Sequence, residues 1–156
     1  MIALDVPGRG ILKIEHLVCD VNGTLAVDGQ LIEGVPQLIA SLRAKVEVHL
    51  LTADTHGRQD EIDRALGLSA VRLERGDAAG QKARFVQRIG AEHTAAIGNG
   101  ANDAGMLAAA ALGICVLSPE GLSLEAFHAA DVLVPDIRSA LELVEKPLRI
   151  VATLRK

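Results

Sequence analysis

Val18-Cys19-Asp20-Val21-Asn22-Gly23-Thr24-Leu25 follows an apolar run that begins at Ile14, and the fold turns on how this stretch is read. An extended apolar segment ending in a carboxylate and a Gly-Thr turn puts Asp20 at the carboxyl edge of a sheet, where open α/β folds hold their ligands. Taken alone, Asp20 reads as a turn residue whose side chain caps nearby backbone. Three later stretches tip the balance toward chemistry: Leu50-Leu51-Thr52-Ala53-Asp54, the helical pattern carrying Lys82, and Ile97-Gly98-Asn99-Gly100-Ala101-Asn102-Asp103.

Working outward, Leu17 to Cys19 reads as a strand buried on both faces, as in a covered parallel sheet. Upstream, Met1 to Asp5 and Ile11 to Ile14 flank Pro7-Gly8-Arg9-Gly10, the pattern of a hairpin feeding that strand. Downstream, Asp28-Gly29 between two short apolar runs predicts a small hairpin flap beside Asp20. A helical period starts at Pro36, and Val46 to Leu51 is a second core strand. Asp54 or Thr55 caps a helix that Gly67 ends; Val71 to Leu73 is a short strand; Asp77 caps the helix of Lys82, which Gly90 closes. There follow a strand at Thr94–Ile97, a helix at Ala101–Ala110, a strand at Leu112–Leu117 and a helix at Gly121–Ala129. A short strand, Val132–Val134, and helices at Ile137–Leu143 and Leu148–Leu154 close the chain. This alternation predicts a three-layer α/β/α fold around a parallel sheet. Without linker or repeat, residues 1–156 read as one domain, and the inserts after the first core strand are too short for a cap domain.

Composition narrows the function. A chain of 156 residues buries a sizeable core without staples. The net charge is -4, and there is no Trp or Tyr to stack on a base, which argues against nucleic acid as a ligand. With only Phe85 and Phe127 as aromatics, the core is aliphatic. Cys19 and Cys115 lie in apolar runs and read as buried hydrophobes in a reducing cytoplasm rather than a disulfide. Strand alternation turns Cys19 away from the face of Asp20, so it has no catalytic role. No signal pattern is evident, and the longest apolar stretch, Ala104 to Leu117, falls short of the about 20 residues a bilayer needs, so a soluble protein with no membrane partner is expected. His16, His49, His56, His93 and His128 show no metal-ligand spacing along the chain, and none is assigned a site.

Asp20-x-Asn22-Gly23-Thr24, Thr52, Lys82 and Gly98 to Asp103, in that order, resemble the four motifs of the haloacid dehalogenase (HAD) superfamily, over about Leu17 to Val134. Leu51-Thr52-Ala53-Asp54 is similar to the Thr-Gly-Asp of P-type ATPase phosphorylation domains, and Gly98 to Asp103 to their Gly-Asp-Gly-x-Asn-Asp. The resemblance implies a HAD-like (Rossmannoid) sheet without a cap and a Mg²⁺-dependent phosphatase acting through an aspartyl phosphate. Asp20 would attack phosphorus. Thr52 and Lys82 would hold the phosphoryl oxygens, with Gly23, Ala53 and Asn102 completing the phosphate site. Asp20, Asp103, Asn99 and the backbone carbonyl of Asn22 would hold Mg²⁺ in the all-oxygen shell that ion prefers. Each residue also has a plainer role: Thr52 as a strand-end turn, Lys82 as a solvated lysine, Asp103 as a first-turn acid. The joint order of the four motifs outweighs those roles. Asp54 is explained by helix capping alone.

Two acids usual in such phosphatases are amides here. Asn22 stands where a general acid would protonate the leaving group, help typically worth roughly 10²- to 10⁴-fold, so turnover of alkoxide esters should be slow. P-type ATPases also lack that acid, so phosphoryl acceptance survives the change. Asn99 replaces a metal-binding Asp with a neutral oxygen, leaving two carboxylates against Lys82. Weak Mg²⁺ binding with comparatively easy phosphate binding follows. The same two amides favour a rival reading, a catalytically weak phosphate-sensing or regulatory module. A response-regulator receiver would carry its acceptor on a later strand. The absence of membrane helices and of a nucleotide-binding insert argues against a pump and against dedicated ATP use. An uncapped site suits a small-molecule or macromolecular phosphorylated substrate; its identity and the oligomeric state are not legible.

Overall fold

The computed structural model describes residues 1–53 and 57–156. An antiparallel hairpin, β1 (Ile2–Val6) and β2 (Gly10–Ile14), leads into β3 (His16–Asp20). The flap β4 (Ala26–Val27) and β5 (Gln30–Leu31) follows, then α1 (Val35–Arg43), β6 (Glu47–Thr52), α2 (Gln59–Leu66) and β7 (Val71–Arg72). The second half comprises α3 (Ala78–Ile89), β8 (Thr94–Gly98), α4 (Ala104–Ala109), β9 (Leu112–Val116), α5 (Leu124–Ala129), β10 (Val132–Val134), α6 (Ile137–Glu145) and α7 (Leu148–Leu154). This is the α/β architecture expected from the alternation of strand and helix patterns.

Six strands pair in parallel in the order β10-β9-β8-β3-β6-β7. From β3 the chain moves outward to β6 and β7, then returns to the other side of β3 as β8. The strand order therefore reverses between β3 and β8, and the crevice outside their carboxyl ends is where such sheets bind ligands. Asp20 ends β3 and Gly98 ends β8, so both motifs reach that crevice.

Alternation divides β3 between two cores. Leu17 and Cys19 join the aliphatic side formed with α1, α6, α7 and the first hairpin, through Ile39, Leu42, Leu141 and Ile150. Val18 faces the other side, with Leu51, Ala96 and Cys115 against Phe85, Val86, Met106 and Leu107 of α3 and α4. Cys19 and Cys115 are buried free thiols. Burial, reinforced by the charge of Asp20, raises the Cys19 thiol far above its ordinary value, so it stays protonated and inert.

The flap forms as expected. Asp28 (φ 52°) and Gly29 (φ 76°) both take the left-handed conformation of a tight hairpin turn, which is why Asp-Gly stands there. Among the described residues no cap domain is built on the sheet, and no helix is long and apolar enough to cross a membrane. Three boundaries differ from expectation. Asp54 and Thr55 lie outside the described residues, and α2 starts only at Gln59, with Arg58 at its N-cap making no side-chain cap bond. The helix expected over Ala101–Ala110 opens as a 3₁₀ turn, Ala101–Asp103, before α4. The one expected from Gly121 starts at Leu124, because Gly121 (φ 85°) closes a turn onto Ser118 and Ser123 caps the helix instead.

Candidate active site

Asp20 stands at the end of the central strand, and both its carboxylate oxygens are engaged. Lys82 Nζ donates to Oδ1 at 2.5 Å and the Thr24 hydroxyl to Oδ2 at 2.9 Å. Lys82 comes from the first half of α3, whose start is fixed by the Asp77 carboxylate accepting the Gly80 amide at 2.8 Å. Its ammonium also reaches Asp103 Oδ1 at 2.6 Å, so a single cation, 1% exposed, bridges two buried carboxylates. The other oxygen of Asp103 accepts the backbone amides of Asn99 and Gly100 at 3.0 and 2.9 Å. The loop after β8 is thereby wrapped around the acid.

The electrostatics of this trio are far from those of surface groups. Burial first, and then the charge of Asp103, push the Asp20 carboxyl up to about 7, against the pull of Lys82 and Thr24. Burial alone would lower Lys82. The charges of Asp20 and Asp103 and its hydrogen bonds to them overcome that and hold it above the ordinary lysine value, so it remains a cation. Two carboxylates against one ammonium leave the floor of the site short of positive charge.

Around the trio, Asn22 Nδ2 donates to Thr52 Oγ1 at 3.3 Å, tying the turn after β3 to the end of β6. Asn99 is held at both ends of its amide: Oδ1 accepts the Thr24 hydroxyl at 3.1 Å, while Nδ2 donates to Ser118 Oγ at 3.2 Å and the Gly121 carbonyl at 3.0 Å. An open cleft of about 310 Å³ lies over this floor. Of the residues singled out from sequence, Asp20, Asn22, Ala53, Lys82, Asn99 and Asn102 line it. Thr52 and Asp103 are buried behind it. Gly23 is different: its amide donates to the Ala26 carbonyl at 2.7 Å, so what it lends the site is the shape of the turn (φ 81°) rather than a donor.

Sequence reasoning missed the far wall. Thr24 has no role of its own in its motif, and the helix expected from Gly121 takes in Gly121–Ser123 of the loop after β9, leaving Glu120 just before it without a role. The signal was present in Ser118-Pro119-Glu120-Gly121, a turn cluster directly after a strand that ends at the same edge of the sheet. Glu120 lines the cleft, and its Oε2 lies 2.6 Å from where a Cβ on Gly23 would sit, directly over the turn that follows Asp20. It forms no ion pair with the described residues.

The oxygens here suit a hard divalent cation in kind. Asp20 Oδ2 and Asn99 Oδ1 converge on the Thr24 hydroxyl, which has one proton to give. With Asp20 ionised, one of those oxygens is short of a donor, beside two carboxylates that a single lysine does not neutralise. An all-oxygen set with surplus negative charge is what such a divalent ion requires.

A family model described as haloacid dehalogenase-like hydrolase matches residues 4–111. Two uncharacterised proteins of Methanocaldococcus jannaschii are similar in sequence. One is 45% identical over 60 residues, 38% of this chain and 64% of that protein, so the chain spans a little under two thirds of its length. The other is 41% identical over 39 residues, 25% of this chain and 89% of that protein. The cobalt-bound deoxy-D-mannose-octulosonate 8-phosphate phosphatase of Haemophilus influenzae superposes with a TM-score of 0.70 at 19% identity, covering 86% of this chain and 88% of that one. The Moraxella catarrhalis 3-deoxy-D-manno-octulosonate 8-phosphate phosphatase, in complex with magnesium, phosphate and KDO, gives 0.65 at 22% identity over 91% and 94%. A phospho-aspartyl intermediate analogue of a phosphoserine phosphatase gives 0.65 at 17% identity over 83% and 98%. At these identities the solved structures establish a shared fold.

Proposed function

The chain belongs to the haloacid dehalogenase-like hydrolases, and from that membership we propose that it cleaves phosphate monoesters with Asp20 as the phosphoryl acceptor. The observation that carries this reading is the buried bridge Asp20–Lys82–Asp103 at the floor of an open cleft. A structural ion pair has no need of a carboxylate at the wall of a cleft, and perturbed acids in clefts cluster at reacting centres.

In the first step an Asp20 oxygen forms a bond to phosphorus as the ester oxygen leaves with its electron pair and takes a proton. Water then attacks the acyl phosphate, releasing inorganic phosphate and restoring the carboxylate. Lys82, the Thr52 hydroxyl, Asn102 and the backbone at Ala53 hold the phosphoryl oxygens, whose charge is what catalysis must stabilise. Asp20, Asp103, Asn99 and the Asn22 carbonyl would hold Mg²⁺, which supplies further positive charge at those oxygens when bound. Asn99 brings no charge to that set, so its affinity is low.

Asn22 cannot transfer protons and is spent on Thr52. Glu120 is the carboxyl among the described cleft residues that Lys82 does not hold, and it serves as general acid and base in its place. Hydrolysis of p-nitrophenyl phosphate tests the scheme, since that leaving group departs without an acid. Asp20→Asn abolishes it. Glu120→Gln leaves the first release of p-nitrophenol intact, slows the breakdown of the aspartyl phosphate that follows, and slows the departure of an alkyl alcohol by roughly 10²- to 10⁴-fold. The second reading, a phosphate-sensing module, is favoured by Asn22 and Asn99 and gains if an aspartyl phosphate forms and persists for minutes without turnover. The uncapped cleft admits a phosphorylated small molecule or a phosphate carried on a larger one. The similarity of Thr52-Ala53-Asp54 and Gly98 to Asp103 to P-type motifs supports a soluble relative of those domains. The two buried free thiols support a reducing cytoplasm as its setting.

A further inference from the structure

At the opposite edge of the same sheet, the pairing of β3 with β6 sets His16 directly beside Glu47, and His49, two residues along β6, projects from the same face. His16 Nδ1 and His49 Nε2 are 3.2 Å apart, His16 Nδ1 and Glu47 Oε2 3.5 Å, and His49 Nε2 and Glu47 Oε1 3.8 Å. We propose that His16, Glu47 and His49 form a binding site for a divalent transition-metal ion, zinc in the first instance, that pins β3 to β6.

The three separations carry this. Around a tetrahedral zinc with bonds of about 2.0–2.1 Å, neighbouring ligand atoms lie about 3.3 Å apart; the two ring nitrogens match this at 3.2 Å, and the carboxylate turns a different oxygen to each nitrogen, Oε2 to His16 and Oε1 to His49. As a purely hydrogen-bonded group the cluster is incomplete. One proton links the two rings, and the carboxylate approaches both nitrogens at 3.5 and 3.8 Å, too far for a good hydrogen bond to either. A central cation satisfies all three at once. Two imidazoles and one carboxylate select zinc-like ions over Mg²⁺ and leave one position for water, which the 67% exposure of the Glu47 side chain keeps accessible.

The surroundings favour occupancy. His49 packs edge-on against Phe85 with ring centroids 5.4 Å apart, and the Arg88 guanidinium covers Phe85 at 5.1 Å, so the ring is held in place. Arg43 and Lys45, which line the same groove as His16 and Glu47, are turned to the Leu66 and Glu145 carbonyls at 3.3 Å each, and the Met1 amino group there donates to the Lys45 carbonyl. His16 and Asp20 are four residues apart on one strand, about 13 Å at roughly 3.3 Å per residue. The ion therefore takes no part in phosphoryl transfer, and the proposal is independent of that reading.

Calorimetric titration of the full chain with Zn²⁺ alone tests it, repeated with Glu47→Gln, His49→Gln and Asp20→Asn. One zinc is expected to bind wild type and Asp20→Asn equally. His49→Gln should lose more than the roughly 10- to 100-fold that removal of a mere outer-shell partner costs. Glu47→Gln, at an exposed position that cannot threaten folding, should lose at least about 10-fold. Side-chain nitrogen NMR should move His16 and His49 on zinc addition and leave His93 and His128 in place. Failure of wild type to bind, retained affinity in both Glu47→Gln and His49→Gln, loss in Asp20→Asn, or movement of His93 or His128 instead would each overturn the site. Hydrolysis of p-nitrophenyl phosphate, unchanged in His49→Gln, is read separately and reports only on the active site.

Discussion

The two ends of β3 carry opposite kinds of chemistry on one face of the sheet, and α3 serves both. Lys82 meets Asp20 at the carboxyl end, and Phe85, three residues on, meets His49 near the amino end. At the carboxyl end the charges are sealed in: Lys82 is 1% and Asp103 0% exposed, and the ammonium is bonded to both carboxylates. At the amino end His16, His49 and Glu47 face solvent in part, so water replaces whatever contact is lost. Burial makes a polar cluster expensive to alter and specific in what it binds. Partial exposure makes it cheap to alter and dependent on an external ion for its stability.

The largest effect should come from Lys82→Met. It strands two buried carboxylates and should cost about 3–5 kcal/mol. At roughly 2–4 °C per kcal/mol for a chain of this size, thermal unfolding should show a drop of about 10 °C. His16→Gln in metal-free buffer removes one partly exposed hydrogen bond, worth no more than about 1 kcal/mol. Equal losses at the two ends would break the comparison.

Next comes pH. The folded-state pKa of Asp20 is raised from 3.8 to about 7, so the folded protein holds that proton more tightly than the unfolded chain does. The stability it contributes is present below the unfolded value and is lost as pH rises through the folded one. Asp20→Asn has no such proton, so its stability relative to wild type should improve between about pH 4 and pH 7, read by denaturant unfolding. Hydrolysis of p-nitrophenyl phosphate should rise over the upper part of that range as the nucleophile ionises.

Gly98→Ala is a finer probe. A Cβ there would sit 2.5 Å from Asp103 Cγ, so the acid that anchors Lys82 must move. An overpacking cost of about 1–3 kcal/mol and a loss of activity are expected together, measured by unfolding and by the same assay. The smallest effect belongs to Ser123→Ala, which removes the N-cap of α5 and should cost about 1 kcal/mol, with slower turnover of alkyl phosphates if the Glu120 loop loosens with it.

Much of this architecture was written locally in the chain. Asp28-Gly29 specified the flap, Asp77 and Gly90 bounded α3, and the apolar runs before Asp20, Ala53 and Asn99 located the three strands whose ends approach one another at the site. What escaped depends on pairing across the chain. His16 and Glu47 are neighbours only through the register of β3 with β6, which spacing along the sequence does not reveal. Glu120 reaches the cleft only because β9 ends at the same edge as β3 and because the turn from Ser118 to Gly121 prevails over helix at that point. That the Gly23 amide is taken by the Ala26 carbonyl at the root of the flap is likewise not legible from the motif alone.

Phosphoryl transfer by this site requires Asp20 to become covalently phosphorylated. Rapid acid quench during p-nitrophenyl phosphate turnover, followed by peptide mass spectrometry, reads this directly. The phosphoryl group should appear on the peptide containing Asp20 and be absent from Asp20→Asn. Steady turnover with no phosphoryl on that peptide, or with the group on another residue, would contradict it.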